Sequence, residues 1–304
     1  MIEKFVSHHG KFKEAQDYIQ ADWINAENPT EEEISELNSK FNISTLSIHA
    51  LNDIEEVPIV ERENGTIFLI SRIPTKQEVG LDYSTAPLGI ILTNQKIITV
   101  CFFKNDLISS IKEQKFEFTT TSLLLHLLLK SSRLYLNYLK EINGKIHKIE
   151  SELEKSQKNK ELINLLDIEK SLVYFATSLR SSHLLLEKIS RMKEVVKTEQ
   201  DDELIGDAID ENKQAIETTS IYSNILNNTR NAYAAIIANN LNHVMKFLAS
   251  MTIIISLPVL VASIFGMNVA LPFQNDAHAF WMVMIISAVL SFLGVFIFRK
   301  YKLF

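Results

Sequence analysis

One cysteine in 304 residues, Cys101, rules out an internal disulfide, so non-covalent packing must hold the fold. It sits in the apolar run Thr99-Val100-Cys101-Phe102-Phe103, where a thiol reads as a buried strand residue, and a chain without disulfides fits a reducing cytosol. Basic clusters are missing too. Net charge is −6 with acidic residues spread along the chain, which excludes the electrostatic footprint of a nucleic-acid binder. No G-x-x-x-x-G-K-[ST] loop offers backbone amides to a nucleotide phosphate, and neither a metalloprotease helix nor a nucleophile elbow is present, so the enzymes built on those motifs are excluded. The opening Met1-Ile2-Glu3-Lys4 carries no apolar signal-peptide core.

Between Thr120 and Leu257 there is no proline, and glycine occurs only at Gly144 and Gly206. Without helix breakers, this stretch is expected to form long helices. The first holds the leucine run Leu123–Leu129, broken by His126, and continues through Leu134, Leu139, Ile142, Ile146 and Ile149. A second helix is expected over 160–198. A third is expected to start near Asp202 and run unbroken into an apolar span, about 60 residues or roughly 90 Å. His126, alone on an apolar face, reads as a core residue rather than a metal ligand. Residues 1–118 differ in kind. Thr66–Ile73 and Leu88–Phe103 are rich in β-branched and aromatic residues and read as strands. Asn64-Gly65 is the signal for a tight hairpin, and Thr30 with Glu33, following Pro29, fits a capping box. This part is expected to be an α/β domain.

The most telling absence is charge near the C-terminus. Between Lys246 and Arg299 the only formal charge is Asp276, and residues 247–265 and 279–298 have none. At about 1.5 Å per residue each stretch spans roughly 30 Å, the thickness of a bilayer core, so both are expected to cross a membrane. Lys246 precedes the first span and Arg299, Lys300 and Lys302 follow the second, while the loop 269–278 has no Lys or Arg. By the positive-inside rule both termini are cytosolic and the loop faces outside. Pro258 removes one backbone donor from the first span, which predicts a bend there.

Asn242, Ala249, Ser256 and Ser263 recur every seven residues, and Met245, Thr252, Val259 and Gly266 repeat the pattern three residues on. Together they make one helical stripe of small, polar or flexible side chains. Two readings of it stand: the wall of a narrow pore in a symmetric oligomer, or a face for close helix packing. Asp201, Asp202, Glu203, Asp207, Asp210 and Glu211 crowd the expected start of the third helix. Acids there stabilise the helix dipole. Asp207 and Asp210 also share a face, and oxygen-only ligands suit Mg2+ or Ca2+.

Gly266-Met267-Asn268 ends the first span. The chain resembles the CorA family of divalent-cation channels in this tripeptide and in much else: Trp23-Ile24-Asn25 before Asn28-Pro29-Thr30-Glu31, Leu51-Asn52-Asp53-Ile54-Glu55-Glu56-Val57-Pro58, Asn242-His243-Val244-Met245-Lys246, and the basic, aromatic tail Arg299–Phe304. The resemblance implies an α+β membrane protein in three parts. Residues 1–118 form a cytosolic α/β domain, 119–246 a long-helix stalk or funnel, and 247–304 a two-helix pore domain with the outer loop 269–278. It implies a homopentamer in the cytoplasmic (inner) membrane whose first spans surround a pore. Gly266, Met267 and Asn268 would be the selectivity filter; Asn242, Met245, Leu248, Thr252, Ser256 and Ser263 would line the pore and its gate. Asp53, Asp207 and Asp210 would bind regulatory Mg2+ between subunits, closing the channel. The implied function is passive, gated uptake of Mg2+, with Co2+ or Ni2+ as further ions. Such uptake needs no ATP, because about 100 mV gives a divalent ion about 4.6 kcal/mol.

Two features depart from the family pattern. Phe265 stands where tyrosine is common, and the loop Val269-Ala270-Leu271-Pro272-Phe273-Gln274-Asn275-Asp276 lacks the usual M-P-E-L element, leaving Asp276 as its only acid. This keeps open a Zn2+ transporter of the ZntB type, with possible proton coupling. A non-conducting membrane-anchored sensor or scaffold is the alternative of another class.

Overall fold

The structure, a computed structural model, describes residues 1–63, 65–76, 82–93, 95–156, 159–269, 272 and 277–301. The chain divides into two compact units, Met1–Thr229 and Arg230–Phe304.

The first unit is built on a seven-stranded sheet. Its strands are β1 (Ile2–His8), β2 (Lys11–Glu14), β3 (Trp23–Glu27), β4 (Ile59–Glu63), β5 (Thr66–Lys76), β6 (Tyr83–Leu92) and β7 (Ile97–Cys101), in the order β2-β1-β3-β7-β6-β5-β4. Every pair is antiparallel except β3 with β7. His9 and Gly10 join β1 to β2 with φ of 52° and 75°, the left-handed pair that a two-residue hairpin needs. A side chain at Gly10 would also stand 3.1 Å from the Phe116 carbonyl oxygen. Glu63 pairs with Thr66 across the expected Asn64-Gly65 turn, and Gly65 has φ 81°; Asn64 lies outside the described residues.

The expectation of one strand over Leu88–Phe103 is corrected. The stretch splits between β6 and β7, which pair antiparallel from Gly89↔Val100 to Leu92↔Ile97. Thr93 makes the reversal: its amide donates to the Lys96 carbonyl at 2.9 Å and its hydroxyl accepts from the Lys96 amide at 3.0 Å. An unbroken strand of that length would extend roughly 50 Å, far beyond a domain of this size.

Helices cover both faces of the sheet, which is why β6 and β7 are buried throughout. On one face α1 (Glu31–Phe41) and α2 (Thr45–Ala50) contribute Ile34, Leu37 and Ile48, packed with Ile70, Ile91, Ile98 and Val100. The capping box at α1 is present: the Thr30 hydroxyl accepts from the Glu33 amide, and the Glu33 carboxylate accepts from the Thr30 amide. On the other face lie the short α3 (Leu107–Lys112), α4 (Thr120–Ser156), α5 (Asn159–Ser190) and the start of α6 (Glu199–Phe265). Leu123–Leu125, Leu127–Leu129, Leu185, Leu186, Ile205 and Ala208 pack there against Leu69, Ile73, Ile90 and Ile97. Alternate residues of one strand thus serve opposite cores, the two-residue period of a pleated strand.

The second long helix stops eight residues before the expected 198. The chain turns at Arg191 so that Met192 and Val195 enter the core, and Thr198 then restarts the helix. The Thr198 hydroxyl accepts from the Asp201 amide at 3.1 Å, while the Asp201 carboxylate accepts from the Thr198 and Lys197 amides at 3.0 and 3.1 Å. The third helix therefore begins at Glu199 rather than near Asp202, with Thr198 as its N-cap and Asp201 as the buried partner that bonds back to it.

Helix α6 has 67 residues and continues through Pro258. Its residues up to Thr229 belong to the first unit and those from Arg230 to the second. The second unit adds α7 (Ala279–Lys300). Helices α6 and α7 are each long and apolar enough to cross a membrane.

Candidate functional site

Within the second unit, α6 presents two distinct faces. Ser250 and Val261 are buried, and Ile254, Leu257 and Pro258 are half-buried. These positions recur at helical spacing, and two of them meet α7 at Gly294, where a Cβ would lie 3.3 Å from Leu257 Cδ1 and 3.6 Å from Ile254 Cγ1. Ser287 of α7 is buried as well. At about 100° per residue, the stripe positions fall on roughly the opposite side of α6. Asn242, Met245, Leu248, Thr252, Ser256 and Ser263 are all exposed in the single chain. Met245 and Leu248 are more than half exposed although apolar, at 59% and 54%. The small-residue stripe therefore does not serve the contact with α7.

Two hydroxyls on this face, those of Thr252 and Ser256, are turned back on their own helix. Thr252 Oγ1 donates to the Leu248 carbonyl at 2.9 Å, and Ser256 Oγ donates to the Thr252 carbonyl. Helix α6 ends at Phe265, with the Gly266 amide on the Ala262 carbonyl at 2.9 Å and the Met267 amide on the Ile264 carbonyl at 3.3 Å. A side chain at Gly266 would stand 3.2 Å from the Ala262 carbonyl oxygen, so glycine suits this tight exit. Met267 and Asn268 follow it, exposed. Asp276 lies outside the described residues.

The first unit holds the carboxylates. Asp53 is exposed in a turn after α2, where its Oδ1 accepts from the Glu55 amide at 2.9 Å and its carbonyl from the Glu56 amide at 3.1 Å. Asp207 and Asp210 are exposed on α6. Among the described residues of one chain, no group of three His, Cys, Asp or Glu side chains gathers to hold a metal. Glu211 is engaged by Arg133 at 3.0 Å. His126 is half-buried with its ring 4.1 Å from that of Phe116, and burial holds its pKa below the usual histidine value. Those neighbours suit a core residue.

Arg72 stands outside the residues that the sequence motifs single out. It lies in β5, only 9% exposed, within a strand otherwise read for its apolar residues. A lone cation in a strand buried on both faces was the available signal, since such a group must find internal partners.

Residues 19–300 match the family model described as CorA-like Mg2+ transporter protein. The cobalt/magnesium transport protein CorA of Methanocaldococcus jannaschii is 28% identical over 287 residues, covering 91% of this chain and 90% of that protein. The complete structure of the CorA magnesium transporter from the same organism superposes with a TM-score of 0.87 at 25% identity, covering 99% of this chain and 98% of that one. The ZntB cytoplasmic domain from Vibrio parahaemolyticus matches at 14% identity with a TM-score of 0.60, over 78% of this chain and 98% of that one, and so shares the fold.

Proposed function

The chain belongs to the CorA-like Mg2+ transporter family, a family of ion transporters rather than enzymes, and from that premise we propose that it is a passive, gated divalent-cation channel. Its first ion is Mg2+, with Co2+ and Ni2+ also carried. The named activity of the M. jannaschii relative supports this reading. The observation that carries it is the exposed stripe of α6, set away from α7 and ending at Gly266-Met267-Asn268.

Such a face has a use when several copies surround an axis. In a homopentamer, Thr252, Ser256 and Ser263 would line a narrow polar path, and Met245 and Leu248 an apolar ring that closes it by excluding water. Mg2+ sheds its water reluctantly, so the Asn268 carboxamides would select the hydrated ion by accepting hydrogen bonds from its water shell. Residues 1–118 and 119–246 then stand on the cytosolic side of the inner membrane and 247–304 within it, with loop 269–278 outside. Asp53 of one subunit, with Asp207 and Asp210 of the next, would take intracellular Mg2+ and hold the closed state; loss of the ion would release it. Among the described residues of one chain these carboxylates do not gather into a metal-holding group, which suits a site shared between subunits.

Reconstitution in liposomes tests the proposal. Mg2+ influx without a proton gradient is expected. No flux of any divalent ion would overturn it in favour of a sensor or scaffold, and proton-dependent Zn2+ flux without Mg2+ flux would overturn it in favour of the ZntB type.

A further inference from the structure

Arg72 is a buried cation whose side-chain partners are neutral. Its Nε donates to Ser178 Oγ of α5 at 2.9 Å, Nη2 to Thr85 Oγ1 of β6 at 2.7 Å, and Nη1 to the backbone carbonyl of Glu56 at 2.9 Å. Ser178 Oγ also donates to Thr85 Oγ1 at 3.0 Å, and Tyr135 of α4 donates to the Arg72 carbonyl at 3.2 Å. Among the described residues Arg72 makes no ion pair. A buried charge without a paired opposite charge is costly, so this arrangement needs some return.

The return is visible in what the guanidinium holds. Glu56 closes the turn that begins at Asp53, through its amide on the Asp53 carbonyl. The other end of the turn is fixed by Leu51, which is fully buried and leans into the space left by Gly89; a Cβ at Gly89 would collide with the Leu51 side chain. Asp53, Ile54, Glu55 and Glu56 are therefore held between an apolar anchor and a cationic one. Burial lowers the Arg72 pKa, while Tyr135 and the carboxylates of Glu55, Asp53 and Glu56 favour its charged form. The guanidinium is thus placed to offset the mutual repulsion of three acids in four residues.

We propose that Arg72 is the positioning residue of the acidic turn, holding Asp53 from inside so that a divalent cation meets it in a fixed place. The inference rests on the regulatory reading of Asp53 and deepens it. Because the same guanidinium holds Ser178, a change at Asp53 reaches α5 through three hydrogen bonds, Glu56 amide to Asp53 carbonyl, Nη1 to Glu56 carbonyl and Nε to Ser178.

Hydrogen exchange on the full-length protein in detergent, with and without Mg2+, tests it. Arg72→Lys keeps the charge and loses the fork. Its Glu55 and Glu56 amides are expected to exchange about tenfold faster, the scale of one lost hydrogen bond to a charged group, with the β5–β6 ladder unchanged. The Mg2+ concentration that half-protects the turn is expected to rise by a similar factor. Unchanged exchange at Glu55 and Glu56, or acceleration spread evenly over the sheet, would overturn the proposal. Ser178→Ala removes the Nε acceptor and is expected to act in the same direction with smaller size; it decides the matter where Arg72→Lys does not fold. If Mg2+ leaves the wild-type turn unchanged, the regulatory reading of Asp53 falls, and the Arg72 anchor still stands or falls on the exchange rates of Glu55 and Glu56.

Discussion

Gly294 of α7 lies against Leu257 of α6, where a methyl would be a tight fit: a Cβ there would stand 3.3 Å from Leu257 Cδ1 and 3.6 Å from Ile254 Cγ1. This contact sets how near the two apolar helices come. Gly294→Val is expected to destabilise the helix pair by about 1–3 kcal/mol through overpacking. Thermal unfolding in detergent reads this as a lowered melting temperature. An unchanged melting temperature would show that the helices part here without cost.

Asn268 follows the end of α6, exposed and beside the glycine that allows the tight exit. Asn268→Ala is expected to abolish selective Mg2+ uptake in liposomes while the oligomer assembles as before, as judged by size-exclusion chromatography. Retained selectivity would remove Asn268 from the filter.

Asp207 is exposed on α6 and shares its face with Asp210. Asp207→Ala is expected to raise the Mg2+ concentration that protects the first unit from protease by about tenfold or more, since even the outer partners of a metal ligand cost that much when removed. The same protection curve in both proteins would refute the regulatory site.

Cys101 is buried, and burial pushes its thiol pKa up to about 11. The thiolate is the reactive form, and two pH units of displacement leave about a hundredfold less of it at pH 8 than an ordinary cysteine would have. Labelling by a thiol reagent at pH 8 is expected to be slow in the folded protein and fast once it is unfolded. Fast labelling before unfolding would show that β7 opens.

The parts of the fold that one local pattern determines were legible in the chain. The Thr30–Glu33 box and the charge-free spans have local causes, and both are in the structure. The places that misled depend on contacts distant in sequence. Leu88–Phe103 is apolar on either side of Thr93-Asn94-Gln95-Lys96 because both halves are buried, and the flanking runs outweigh the short polar stretch in which Thr93 bonds Lys96. The run 191–198 is helical in composition, yet Met192 and Val195 are drawn into a core they share with β-strands. Asp201 resembles its acidic neighbours by letter, and only its bonds to the Lys197 and Thr198 amides set it apart. Arg72 escaped notice for the same reason: its partners Ser178 and Glu56 lie 106 and 16 residues away.

The backward-pointing hydroxyls of Thr252 and Ser256 carry a consequence for the pore reading. Each spends its single proton on a carbonyl of its own helix, so what remains toward the open side is oxygen lone pairs alone. None of the stripe residues Asn242, Met245, Ala249, Thr252, Ser256, Val259, Ser263 and Gly266 is an acid or base that titrates near neutrality, and His243 and Lys246 in the same segment fall off the stripe at about 100° per residue. A wall of this kind is electronegative without bearing charge: it favours cations over anions and has no protonation state to lose. Ion flux through it is expected to stay level between about pH 5 and pH 8, the range in which a histidine-lined passage would switch.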